Sequence, residues 1–182
     1  MTNPLAILCV IGSCISLQLG ASLAIQLFPH GGTWGTASMR LLVASAILLV
    51  LSRPKVHTWG REKWVSATIF GVSLGLMNGF FYAGIDLVPL GPAVTIEFLG
   101  PLLLAAVLSR SLRDATCVTL ALIGMALLGV DSLTGEPLSP RGVVFLILAG
   151  ACWAAYILAS KKAGALFSGQ DGLAVALCIG CL

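Results

Sequence analysis

Residues 64–108 read WVSATIFGVSLGLMNGFFYAGIDLVPLGPAVTIEFLGPLLLAAVL. Two apolar runs, Trp64–Ile85 and Leu90–Leu108, fill this stretch, and its only charged residues are Asp86 and Glu97. A bilayer core about 30 Å thick needs roughly 20 apolar residues as helix, so each run is close to one crossing long. Water is absent there, so backbone N–H and C=O groups must be satisfied within the segment, which makes these runs helices. The pattern continues outward to Leu5–Phe28 and Thr36–Leu51 before them, and to Ala115–Val130 and Gly142–Ser160 after them. The expected fold class is therefore all-α, a polytopic transmembrane helix bundle. A seventh apolar segment begins near Gly172 and stops at Leu182, about 16 Å of helix, too short to cross. On this reading the chain is a truncated piece of a longer protein.

Composition agrees. Hydrophobic residues make up 58% and charged residues 9%, against roughly 25% charged in soluble domains. The net charge of +3 comes from basic residues in short loops between spans, which is not a nucleic-acid footprint. The run from Leu5 to Phe28 is too long for a signal peptide and lacks a basic leader, so it reads as a retained first helix.

Loop charge sets orientation. Arg53, Lys55, Arg61 and Lys63 follow the second span, Arg110 and Arg113 the fourth, and Lys161 and Lys162 the sixth. The opposite loops hold Arg141 with Asp86, Asp131 and Glu136. The basic side should be cytoplasmic, which places the N-terminus inside.

Gly12-Ser13-Cys14-Ile15-Ser16 in the first span resembles Gly150-Ala151-Cys152-Trp153-Ala154 in the sixth, and Ala21-Ser22 matches Ala159-Ser160 at the same offset. The candidate repeat is a five-helix unit. An odd number of crossings inverts the second copy, a common construction in secondary transporters. Residues 1–132 would form the first repeat and residues 139–182 the beginning of the second.

Small residues recur every four positions as Gly12, Ser16 and Gly20 in the first span and Gly71, Gly75 and Gly79 in the third. Such stripes allow close helix packing in lipid. Gly71-Val72-Ser73-Leu74-Gly75 fits a serine-hydrolase pattern, but that motif needs a strand-to-helix turn and a histidine partner. His30 and His57 both fall in expected loops, so no catalytic residue is assigned and the chain is read as a non-enzyme. Cys9, Cys14, Cys117, Cys152, Cys178 and Cys181 all fall in spans and form no metal or disulfide framework. No metal, cofactor or nucleic-acid partner is implied.

The informative residues are the polar ones inside spans, because ionisable groups there are costly and face the bundle interior or a watery cavity. Arg40 in the second span and Glu97 in the fourth lie at similar expected depth, with opposite charge, and could pair. Pro101 frees the carbonyl four residues earlier, which is that of Glu97 itself. Pro89, Pro92 and Pro101, with Gly91 and Gly100, make the fourth span the most irregular expected. Gln18, Asn78 and Tyr82 add neutral hydrogen-bonding groups, and Asn78 and Tyr82 share a helix face. Trp153 and Tyr156 lie near the middle of the sixth span, too deep for an interfacial belt. The candidate substrate pathway is thus Gln18, Arg40, Asn78, Tyr82, Glu97, Pro101, Trp153 and Tyr156. Glu97 would serve either substrate amine binding or proton coupling.

At these residues the chain resembles a known family. Gly71 through Asn78, Val88-Pro89-Leu90-Gly91, Glu97-Phe98-Leu99-Gly100-Pro101-Leu102, Arg40-Leu41-Leu42 and Ala149 through Leu158 closely resemble the drug/metabolite transporter superfamily. Within it they look like EamA-type threonine/homoserine exporters of bacterial inner membranes. The resemblance implies ten helices in two inverted five-helix repeats with both ends cytoplasmic. It implies a secondary transporter that exports small metabolites, such as threonine or homoserine, by alternating access. Partners would be the bilayer, a small-molecule substrate and, for energy, protons; a homodimer is left open. The alternatives are a drug or other-metabolite exporter of the same fold, or a non-transporting membrane protein or truncated fragment.

Overall fold

The computed structural model describes residues 4–54, 56–109, 111–132, 138–167 and 170–181. Lys55, Arg110, Glu136 and Leu182, used in the reading above, lie outside them. The described residues are helical, with no strand: α1 Pro4–Ile25, α2 Phe28–Ser52, a short 3-10 turn Val56–Thr58, α3 Arg61–Ile85, α4 Leu90–Leu108, α5 Leu112–Ser132, α6 Pro140–Leu166 and α7 Asp171–Gly180. Four of these, α2, α3, α4 and α6, are long and apolar enough to cross a membrane. Six crossings were expected. The described apolar runs in α1 and α5, Ile11–Ile25 and Asp114–Leu127, are shorter than a full crossing.

The element ends follow their local chemistry. Pro29 sits in the first turn of α2 and Pro140 opens α6, where a missing N–H costs no intrahelical bond. Pro89 caps α4, and Pro92 falls in its first turn. At the α3–α4 joint the Val88 N–H donates to the Gly84 carbonyl at 2.9 Å, turning the chain tightly.

Two expectations about irregular backbone are corrected here. The irregular helix is α2, not α4. Gly32 has φ 67°, a left-handed value that only glycine adopts cheaply. The Thr36 hydroxyl then donates to the Gly32 carbonyl at 2.7 Å and restarts the helix. The second helical segment therefore begins at Phe28 rather than Thr36, and His30 lies in its first turns rather than in a loop. By contrast α4 runs continuously through Pro101. The sixth helix extends past the expected Ser160 to Leu166, carrying Lys161 and Lys162 as helical residues.

Glycines set the crossings. A side-chain carbon at Gly71 or Gly75 would strike the α7 backbone at Ala176 or Gly180, and one at Gly180 would lie 2.7 Å from the Gly71 carbonyl oxygen. The third glycine of that stripe, Gly79, receives the Trp34 ring from α2. This use of Gly71 and Gly75 is the opposite of a nucleophile elbow. Gly84 and Gly142 do the same between α3 and α6, against Leu146 and Val88. The α1 stripe behaves differently from expectation: nothing approaches Gly12, and Gly20 meets only the Arg40 guanidinium. The reason is that α1 packs only lightly, on α2, while α6 runs between α3 and α4.

Two clusters mark the ends of the bundle. Phe28, Ile85, Val88 and Leu146 join the start of α2, the end of α3 and the start of α6. Phe70, Ala163 and Phe167, with Val56 and Trp59, join the other end. There the Trp59 and Phe167 rings lie 4.6 Å apart and the Lys63 ammonium sits 5.9 Å from the Phe167 ring centre. Arg53, Arg61, Lys63, Lys161 and Lys162 are thereby gathered at a single end. Outward apolar residues such as Leu8, Ile15 and Leu19 of α1 and Leu120 and Leu127 of α5 are exposed, as a lipid-facing surface requires.

A candidate substrate cavity between α1, α2, α3, α4 and α6

A cavity of about 580 Å³ opens between these helices, with α7 contributing Leu177. Its polar lining is Gln18 from α1, Arg40 from α2, Asn78 from α3 and Glu97 from α4, with Trp153 and Tyr156 from α6. Six of the eight residues singled out from the sequence therefore share one space. Helical spacing explains the grouping: Trp153 and Tyr156 are three apart, so both turn to the same face of α6.

Arg40 is anchored from below. Its Nη1 donates to the Tyr82 hydroxyl oxygen at 2.8 Å. Tyr82 is fully buried and packs its ring against Phe28, with centroids 5.6 Å apart. Tyr82 thus does not line the cavity; it holds the residue that does. Gly20 of α1 lies beside the guanidinium, where a side-chain carbon would make an ordinary contact 3.9 Å from Arg40 Nη2. The expected Arg40–Glu97 ion pair is not formed: Arg40 turns to Tyr82, and no basic group reaches Glu97 among the described residues.

Glu97 is 7% exposed, and what remains of its surface faces the cavity. Its carbonyl was expected to stand open as an acceptor beside the carboxylate. Instead α6 closes on it, because Gly150 faces that oxygen so tightly that a side-chain carbon would lie 2.6 Å away. Gly100 and Gly150 oppose one another across this α4–α6 crossing. The carboxylate alone is therefore presented.

The aromatic walls were only partly legible. Trp153 meets Phe98 edge-on at 4.7 Å, and Tyr156 stacks on Phe70 at 5.1 Å with planes 23° apart. Phe98 was overlooked because an aromatic beside a glutamate reads as ordinary helix filling. Asn78 spends its Nδ2 on the Leu74 carbonyl at 2.9 Å, a local bond that fixes its rotamer. Pro101 lies elsewhere, in a second and mostly apolar cavity of about 790 Å³ lined by α1, α4 and α5. Gln18 borders both cavities. Among the described residues no cluster of histidine, cysteine, aspartate or glutamate could hold a metal ion.

The chain is 40% identical over 162 residues to the threonine/homoserine exporter RhtA of Escherichia coli (strain K12), covering 89% of this chain and 54% of that protein. It is 39% identical over 161 residues to the protein of the same name in Salmonella typhimurium (strain LT2), covering 88% and 55%. The chain is similar to bacterial amino-acid exporters. It spans about half the length of these curated relatives. No family model and no solved structure matches it.

Proposed function

We propose that this chain belongs to the EamA-type branch of the drug/metabolite transporter superfamily and serves the export of amino acids such as threonine or homoserine across a bacterial inner membrane. The observation that carries the reading is the cavity itself: Gln18, Arg40, Asn78, Glu97, Trp153 and Tyr156 converge on one space inside an apolar bundle. A membrane protein that needed only to pack would not keep a guanidinium and a carboxylate there, because each is costly away from water. Similarity to relatives named as threonine/homoserine exporters supports the substrate class.

In this reading α1 to α5 form one five-helix repeat, and α6 and α7 begin a second copy inverted in the membrane. Alternating access would rock the two units about the cavity. The glycine-faced α3–α7 and α4–α6 crossings suit such rocking, since backbones that meet without side chains can shift with little repacking. The end that carries Arg53, Arg61, Lys63, Lys161 and Lys162 faces the cytoplasm, and the N-terminus lies on that side.

The test is threonine and homoserine efflux from preloaded bacterial cells that lack their own exporters and express this chain. Faster efflux is expected than from cells carrying the empty vector. Glu97→Gln, which keeps shape and removes charge, should abolish the gain while leaving the amount of protein in the membrane unchanged. Efflux equal to the vector control, with the protein present in the membrane, would overturn the reading.

A further inference from the structure

The two ionisable side chains of the cavity, Arg40 and Glu97, are both left with unused hydrogen-bonding capacity. Only the Tyr82 hydroxyl engages the Arg40 guanidinium among the described residues, so the rest of its planar N–H fork is free for an acceptor. Glu97 is more than nine-tenths buried, borders the cavity and has no basic partner. Their arrangement is one carboxyl group and one guanidinium from different helices, facing a shared space rather than each other.

We propose that the cavity recognises the zwitterionic head of an α-amino acid: the Arg40 guanidinium takes the carboxylate and the Glu97 carboxylate takes the ammonium group. This rests on the export reading above and adds which atoms are read. The chemistry is complementary at both ends. A guanidinium matches a planar carboxylate with two parallel N–H donors, and a carboxylate is an acceptor-only group suited to an ammonium. A zwitterion neutralises both protein charges at once. A ligand with a single charge leaves either Arg40 or Glu97 desolvated and unpaired, and that penalty supplies selectivity. Tyr82 is a positioning residue, since its buried hydroxyl holds Arg40 Nη1 at 2.8 Å without bordering the cavity. The substrate side chain then falls among Phe98, Trp153 and Tyr156, whose apolar faces distinguish poorly among small side chains. Head-group recognition is therefore strict and side-chain recognition broad.

The test is equilibrium binding to the purified chain in lipid nanodiscs, with threonine, threoninamide and N-acetylthreonine as probes. Threoninamide keeps the ammonium and loses the carboxylate; N-acetylthreonine does the reverse. Threonine should bind roughly ten- to a hundredfold more tightly than either, the effect of losing one charge-assisted contact. Glu97→Gln should erase the advantage over N-acetylthreonine and keep that over threoninamide. Arg40→Gln should do the opposite. Should either variant fail to fold, the three-probe comparison on the unaltered chain decides alone. Threonine binding with no preference over the two analogues overturns the head-group assignment and leaves export standing. Absence of threonine binding together with absence of efflux overturns the export reading itself.

Discussion

Gly150 shows how much one missing side chain decides at this site. Its bare α-carbon lets α6 close on the Glu97 carbonyl, which covers the backbone acceptor that Pro101 frees and turns only the carboxylate to the cavity. Gly150→Ala should push α4 and α6 apart and lower stability by about 1–3 kcal/mol, the usual cost of overpacking; the measurement is the thermal unfolding midpoint in detergent. Gly12→Ala, with nothing within 4 Å and a position inside α1, should leave that midpoint unchanged or raise it, a stability gain of at most about 1 kcal/mol from alanine's better helix propensity. The pair is informative because Gly12 and Gly150 are the matched positions of the candidate repeat. Tyr82→Phe fills the same volume and deletes the hydroxyl that holds Arg40. On the proposed export reading it should raise the apparent KM for threonine several-fold with little change in membrane level, and restoration by no other aromatic would mark the hydroxyl as the cause. Arg40 and Glu97 were legible as charges in apolar runs. That Arg40 chooses Tyr82 was not, because the partner is decided by rotamers and by which helices lie side by side, neither of which a linear pattern records.

Among the elements, the contrast between α1 and α3 is the clearest. Both carry small residues every four positions. In α3 the stripe seats α7 and the Trp34 ring; in α1 nothing approaches Gly12, and Gly20 meets only the Arg40 side chain of α2. A stripe states that close approach is permitted, while the approach itself depends on which helix lies alongside. Gly75→Leu should therefore dislodge α7, abolishing cross-linking between cysteines introduced on α3 and α7, and should leave cross-links between α4 and α6 intact. Unchanged α3–α7 cross-linking would contradict the packing. Prolines mislead in the same way. Three of them suggested a broken α4, yet Pro89 and Pro92 fall where helix N–H groups are unpaired anyway, and Pro101 is absorbed within a continuous helix. The break occurs instead at Gly32, whose φ of 67° is a backbone value that composition does not announce.

For the whole molecule the testable property is orientation. With native cysteines replaced, Asp86→Cys should react with an impermeant thiol reagent from outside the cell and Thr58→Cys should not; the reverse pattern would invert the topology. The two positions flank α3 at opposite ends. What the amino-acid sequence determined by itself was the class of solvent and therefore of fold. Long apolar runs demand lipid, lipid demands internally satisfied backbone, and only helices satisfy it segment by segment. Charge in the loops and the few ionisable residues in the runs were also visible, because each is costly enough to be rare where it serves nothing. Tertiary structure alone decided which helices touch, and hence which polar residues share a cavity. It brought six of them together, moved Tyr82 beneath Arg40 and set Pro101 in a separate space. The physical reason is that lipid is as apolar as leucine, so hydrophobicity places a helix in the membrane without choosing its neighbours. That choice falls to backbone contact at Gly71, Gly75, Gly100, Gly150 and Gly180, where shape rather than polarity selects the partner.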